Sequence, residues 1–298
     1  MRILECGMRN RIIVISFVLL LFSSGCVFAV QERQVDKKLV SLETLSSKFS
    51  FVVLGDNRAG DPSCDAVYQK LIAIAMERKP DFIMNTGDLV NKPGDFKDWA
   101  KFQEMLKPVT IPYFSAVGNH DVHPMVKGSE IIYKEQMDLP GNELYYSFRA
   151  GNSLFVVLDT NLADAEQKVT GEQLKWLEGI LSNGSWKHAF VFVHHPLYPE
   201  KNKGRHYWHS LDRYPKERDA LQAVFVKNKV TMVFAGHEHL YLRKTVDNIP
   251  HVITGGGGAP MYGKEDEGGF HHFVAVTVDG DKVSAEVVDV NGTIRDRF

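Results

Sequence analysis

From Phe49 onward, short apolar runs alternate with amphipathic stretches of helical spacing. Phe51-Val52-Val53-Leu54 has the length and side-chain types of a buried strand, and Phe82-Ile83-Met84 and Tyr113 to Val117 repeat the pattern. Between them, Ala66 to Arg78 and Phe96 to Leu106 carry apolar residues near the helical period. This β-α-β-α order predicts a mainly parallel sheet covered by helices, because parallel strands need long crossovers and helices fill them. After Gly141 the rhythm changes. Leu144 to Phe148 and Leu154 to Leu158 read as a hairpin around Ala150-Gly151-Asn152, followed by a helix over Gly171 to Leu181. Strands recur at Phe190 to Val193, Thr231 to Phe234, Leu240 to Val246, His251 to Thr254, Phe273 to Val278 and Val283 to Val288. Residues 30–298 contain no repeat, low-complexity tract or obvious linker, so one domain with two packed sheets is the economical reading. Tyr198 to Pro215 lacks any period and reads as a long loop. Its His206, Tyr207, Trp208 and His209 suit either a substrate-facing lid or a solvated surface insertion.

The first 29 residues follow a different logic. Arg2, Arg9 and Arg11 precede an apolar run from Ile12 to Phe22, and small residues follow. Basic, then apolar, then small is the layout of a secretory signal, with Val27 and Ala29 suited to cleavage after Ala29. The apolar run is short for a membrane-spanning helix, which needs about 20 residues. Ser24-Gly25-Cys26 offers a second cleavage point, before a Cys26 that would be acylated as in a bacterial lipoprotein. The expectation is an exported protein, periplasmic or secreted, with a membrane attachment only through a lipid on Cys26. Cys6 and Cys26 fall in the leader, which leaves Cys64 alone and the fold without an intramolecular disulfide.

A chain of 298 residues with 44% hydrophobic and 24% charged residues has ample material for a core. Its formal net charge of −2 leaves no basic footprint for nucleic acid, so none is expected as a partner.

Metal-ligand residue types stand repeatedly just after the apolar runs. Asp56 follows Phe-Val-Val-Leu-Gly, and Asp88 follows Phe-Ile-Met-Asn-Thr-Gly. Asn119, His120 and Asp121 follow Tyr-Phe-Ser-Ala-Val-Gly, His194 and His195 follow Val-Phe-Val, and His237 and His239 follow Met-Val-Phe-Ala-Gly. Ligand sites of α/β folds lie at the carboxyl ends of strands. Mixed Asp, Asn and His donors without cysteine suit Mn, Fe or Zn in a reactive site rather than a structural zinc. There are more donors than one ion needs, and a carboxylate such as Asp88 is suited to bridge two ions about 3.5–4 Å apart. His120 is then placed to stabilise the transition state or protonate a leaving oxygen, with Asp121 hydrogen-bonded to its imidazole.

The ordered set Gly55-Asp56, Gly87-Asp88, Gly118-Asn119-His120-Asp121, Val191-x-x-His194 and Gly236-His237-Glu238-His239 resembles the calcineurin-like metallophosphoesterase superfamily. Its last two motifs are similar to those of the purple acid phosphatase branch. The resemblance covers about Phe49 to His239 and implies an α/β (α+β mixed) fold, a four-layer αββα sandwich of two mixed β-sheets flanked by helices. It implies a phosphoric ester hydrolase holding two divalent or trivalent ions of Mn, Fe or Zn. Asp56, Asp88 and His239 would hold the first ion; Asp88, Asn119, His194 and His237 the second. His120 would be the catalytic histidine, Asp121 its support, and His195 a neighbour outside the ligand set. The substrate would be a phosphorylated small molecule or a nucleotide, monoester or diester. The first motif departs from the family's usual Asp-x-His by reading Asp56-Asn57-Arg58, and a guanidinium has no lone pair to offer a metal. Purple acid phosphatases supply a tyrosine after the second motif, where this chain has Asn91, so a looser first site and no purple iron–tyrosinate colour are expected. Arg58 suits either a substrate phosphate or a salt bridge to Asp61 or Asp65. Arg58, Asn91, His195 and His206 are the candidate substrate contacts. The departure at Arg58 also admits a catalytically silent, metal- or ligand-binding exported protein on the same scaffold. Thr254 to Ala259, rich in glycine, reads mainly as a structural turn that can bring backbone near the site.

Overall fold

The computed structural model describes residues 34–200 and 208–298, which belong to one compact unit. The leader expected at residues 1–29, with Cys26, lies outside the described residues, as do His206 and Tyr207.

In chain order the elements are α1 (Gln34–Glu43), β1 (Lys48–Leu54), α2 (Pro62–Glu77), β2 (Phe82–Asn85), α3 (Phe96–Leu106), β3 (Tyr113–Ser115) and α4 (Ser129–Met137). They continue with β4 (Tyr146–Ala150), β5 (Ser153–Val157), α5 (Gly171–Ser182), β6 (His188–Phe192), α6 (Pro215–Lys227) and β7 (Met232–Ala235). The chain closes with β8 (Tyr241–Val246), β9 (Ile249–Thr254), β10 (His272–Asp279), β11 (Lys282–Asp289) and β12 (Ile294–Arg297). Local chemistry sets several boundaries. Asp61 and Asp95 accept the Ser63 and Lys97 amides at the starts of α2 and α3, and Pro62 and Pro215 open α2 and α6, where a missing amide costs nothing.

Two six-stranded sheets result, in the orders β12-β11-β10-β1-β2-β3 and β4-β5-β6-β7-β9-β8. The strand–helix rhythm suggested a mainly parallel sheet; the second sheet is mainly parallel, whereas the first is half antiparallel. β1-β2-β3 and β5-β6-β7-β9 are parallel. Antiparallel neighbours β10-β11-β12, β4 and β8 extend them; the β10-β11, β11-β12, β4-β5 and β8-β9 links are short turns that leave no room for a crossover. The mixed sheets match the sandwich expected from the resemblance.

The inner layer between the sheets is aromatic. Phe51 meets Phe155 and Phe190 at centroid distances of 5.1 and 5.2 Å, Phe82 meets Phe155 at 5.1 Å, and Phe192 stacks on Phe234 at 5.3 Å. The alternate residues Leu154, Val156, Val191 and Val193 point the other way and pack with Leu177 of α5 and with Leu221 and Phe225 of α6. Strands covered on both faces read as continuous apolar runs, which is why they were legible. α1, α4 and α6 were not anticipated, nor was the four-residue edge strand β12.

Candidate dinuclear metal centre

The parallel strands of both sheets present their carboxyl ends to one region, and the ligand-type residues sit in the turns that follow. Asp56, Asp88 and His237 each come directly after a glycine and adopt the left-handed conformation, with φ of 61°, 57° and 68°. That conformation is strained for a residue with a Cβ and persists where the surroundings enforce it. Here the turns are laced together. The Asp56 amide donates to Gly87 O at 2.9 Å and the Arg58 amide to Asp88 O at 3.0 Å. Asn85 donates to Asn57 Oδ1 at 3.0 Å, and Asn57 donates to Leu89 O at 2.6 Å. At Gly118 a Cβ would lie 2.1 Å from the Asp88 amide nitrogen, and at Gly255 one would lie 2.9 Å from Asp56 Oδ2, so both turns need glycine to approach the ligands. The glycine-rich run after β9 therefore does bring backbone to the site: Gly257 and Ala259 donate to Gly55 O and Asp56 O at 2.8 Å each.

The expected ligand side chains converge; all are buried except Asn119, which is half-buried. His194 Nδ1 donates to Thr86 O at 2.9 Å and His239 Nδ1 to Pro260 O at 2.8 Å. A carbonyl only accepts, so both rings carry their proton on Nδ1 and offer the Nε2 lone pair. His194 Nε2 lies 3.0 Å from Asn119 Oδ1, 3.4 Å from Asp88 Oδ1 and 3.2 Å from His237 Nδ1. His237 Nδ1 is also 3.0 Å from Asn119 Oδ1, and its amide donates to Asp56. His239 Nε2 is 3.5 Å from Asp56 Oδ1. Donor atoms of Asp56, Asp88 and His194 fall within 4.8 Å of one another, as do those of His194, His195 and His237. Asp88 Oδ2 is buried without a hydrogen bond, a costly state for a carboxylate unless a cation satisfies it. These residues fit a pair of cations around Asp88. Burial works against the Asp88 charge, but His194, His120 and Arg58 beside it hold the carboxyl well below the usual carboxylate range.

His120 lies at the edge of the cluster. Its amide donates to Asp88 Oδ1 at 2.8 Å and its ring Nδ1 to Asn91 O at 2.7 Å, leaving Nε2 to exchange a proton. Burial lowers the His120 pKa below that of a free imidazole. Two expectations need correction here. Asp121 does not touch the His120 ring. Its carboxylate accepts the amides of Gly118, Asp88, Leu89 and Val90 at 2.9, 2.9, 2.7 and 3.3 Å. Those four donors are close by in the tight turns, whereas the His120 ring is turned toward Asn91. Asn91 in turn acts through its main-chain oxygen. Arg58 pairs with neither Asp61 nor Asp65, which accept the Ser63 and Gly60 amides; its Nη2 lies 3.3 Å from Asp88 Oδ2. His195 is held by Thr160, with Nδ1 2.8 Å from Oγ1, and its ring lies 4.4 Å from that of His237.

A cavity of about 320 Å³ opens beside the centre, lined among others by Asn119, His123, Asn161, His195, His209 and His237. His209 thus reaches the site from the long loop, while Trp208 is largely exposed. Thr160 and Asn161 were missed, although Asp159-Thr160-Asn161 follows β5 as the other motifs follow their strands. Tyr262 was also missed. It stacks on His239 at 4.1 Å with its hydroxyl 3.3 Å from Nε2, and no pattern in the sequence announces it. A larger groove of about 880 Å³, lined by Arg78, Glu286 and Arg297 among others, lies over the first sheet and contains none of the ligand residues.

Comparison with known proteins places this geometry. The rat serine/threonine-protein phosphatase CPPED1 is 30% identical over 204 residues, covering 64% of this chain and 63% of that protein. Purple acid phosphatase 5 of Arabidopsis thaliana is 27% identical, covering 72% of this chain and 49% of that protein. The chain thus spans between about half and two thirds of these relatives. The solved purple acid phosphatase PPD1 of yellow lupin, Lupinus luteus, shares the fold with a TM-score of 0.70 at 21% identity, over 85% of this chain and 53% of that one. The calcineurin-like phosphoesterase pattern matches residues 49–241, the span that carries every ligand turn, and the chain belongs to that family.

Proposed function

We propose that this protein is a dinuclear metal-dependent phosphoesterase that hydrolyses a phosphorylated small molecule. One observation carries the reading: Asp56, Asp88, Asn119, His194, His237 and His239, from five separate strand-end turns, bring their donor atoms together around the Asp88 carboxylate. A cation pair held there would acidify a water and neutralise the charge of an attacked phosphoryl group. The remaining steps belong to the chain's own side chains. Asp88 is kept anionic by its neighbours and has one oxygen free of hydrogen bonds. His120, pinned through Nδ1, keeps Nε2 free to face the leaving oxygen and, as the imidazolium, to supply its proton. The adjoining cavity of about 320 Å³ has room for a small alcohol portion, with His123, Asn161 and His209 as polar contacts. The basic, apolar and small-residue order of residues 1–29 supports action after export.

The test combines metal analysis with turnover of phosphomonoesters, phosphodiesters and nucleotides in added Mn. Asp88→Asn is expected to lose bound metal and turnover together. His120→Ala is expected to keep its metal and lose turnover by about 10²–10⁴-fold, the range for a general acid. Wild-type turnover in Asp88→Asn would defeat the dinuclear reading. Full metal occupancy with no turnover on any ester would instead favour a silent binding protein.

A further inference from the structure

The two halves of the Asp88 carboxylate meet different surroundings. Oδ1 accepts the His120 amide and lies near His194. Oδ2 accepts no hydrogen bond and faces the Arg58 guanidinium, whose Nη2 is 3.3 Å away. The Arg58 side chain is only 18% exposed, and its Nε is buried without a partner. Nor is the guanidinium there by accident of a mobile side chain. Arg58 is locked in the left-handed conformation, φ 49°, and its amide and that of Ala59 are bonded to Asp88 O and Leu89 O. Main-chain pairing thus registers this cation against the bridging carboxylate.

The donor sets on the two sides are unequal as well. Asn119, His194 and His237 lie 3.0 to 3.2 Å from one another, while Asp56 and His239 pair with each other at 3.5 Å. The turn that supplies Asp56 to the smaller group also carries the fixed positive charge, two residues along at Arg58. A metal ion entering there must share Asp88 with a guanidinium in a site of low effective dielectric, where like charges a few ångströms apart repel strongly.

We propose that Arg58 is a built-in cation that makes the two metal positions unequal. It neutralises Asp88 in the metal-free protein. The Asn119–His194–His237 position fills first and tightly, and the Asp56–His239 position fills only as Arg58 withdraws from Asp88. The inference rests on the dinuclear reading above. It extends that reading by making the second ion the readily lost one, so that availability of metal sets how much of the protein is fully loaded.

The experiment titrates metal-free protein with Mn(II). Occupancy is followed by elemental analysis after desalting, and by electron paramagnetic resonance, which separates an isolated Mn(II) ion from an exchange-coupled pair. The wild type is expected to retain one ion per chain, with the isolated-ion spectrum, and to bind the second at least about a hundredfold more weakly. Arg58→His adds a donor and removes the charge, so it is expected to retain two ions and show the coupled spectrum. Arg58→Ala removes the charge alone and is expected to fall between them, with folding of both variants checked by thermal melts. Two ions retained with similar affinity by the wild type would overturn the proposal, and that result needs no variant. An unchanged affinity ratio in folded Arg58→His and Arg58→Ala would overturn it too. Failure of the wild type to retain any ion would sink the dinuclear reading itself.

Discussion

Asp121 is the residue whose role the geometry redefines most. It is fully buried, and its two oxygens gather four backbone amides from two separate turns, including those on either side of the Asp88 side chain. A carboxylate so placed is the fastener that fixes where Asp88 points. In Asp121→Asn, one oxygen becomes an NH₂ group that must face amide donors. Leaving buried donors unpaired costs on the order of 2–4 kcal/mol in stability. Because the damage falls on the Asp88 turn, metal affinity should drop, and turnover at saturating Mn should return to within a few-fold of wild type with its pH profile unmoved. If Asp121 instead oriented the His120 imidazole, turnover would stay low at saturating metal and the pH profile would shift; kinetics across a metal titration separate the two. Sequence adjacency suggested the imidazole role, and it misled because the tight turn after Gly118 sends neighbouring side chains in different directions. The ligands themselves were legible, since each comes shortly after an apolar strand and all but His194 after a glycine as well. Tyr262 was not, because its place against His239 depends on how a loop 23 residues further along folds back.

At the scale of elements, the readable parts were those that pack on two sides. β2, β5, β6 and β7 are buried along their whole length, as is β1 from Phe51 to Leu54, which gives each a short apolar run. α1 and α6 bury only a few positions each and open with polar or charged stretches, which resemble loops when read alone. The same distinction sets what a substitution costs. Phe155 is wholly buried and touches Phe51, Phe82 and Phe190 at ring distances of 5.1 to 5.2 Å, so it joins the two sheets. Phe155→Ala should lower stability by about 3–5 kcal/mol through lost contacts and a residual cavity. Phe96, at the start of α3 and 65% exposed, should tolerate Ser within about 0.5 kcal/mol. Urea unfolding of the metal-free protein measures both. Equal losses would mean that the aromatic layer is not what holds the sheets together.

Burying both faces of two sheets also strands ionisable groups away from water across the whole molecule, and they pull stability in opposite directions with pH. Burial pushes the Asp159 and Glu238 carboxyls up to about 7, from ordinary values of 3.8 and 4.5. Burial likewise pushes the His251 and His272 imidazoles down to about 4, from 6.5. Between about pH 4.5 and 6.5 the folded protein therefore keeps a proton on each carboxyl, and the unfolded chain keeps one on each imidazole. A raised carboxyl pKa means that the folded state binds the extra proton, so its contribution falls as pH rises through that window. A lowered imidazole pKa means the reverse, so its contribution rises. Two against two leaves these four groups nearly balanced in the metal-free protein. Removing one member unmasks the others. Relative to wild type, Asp159→Asn should gain stability with rising pH across 4.5 to 6.5 at about 1.4 kcal/mol per pH unit, and His272→Gln should lose it at about the same slope. Denaturant melts of the chelator-treated proteins at several pH values within the window read this directly. Three parallel profiles would mean that Asp159 and His272 titrate in the fold much as they do in the unfolded chain, and that the opposed pairs do not exist.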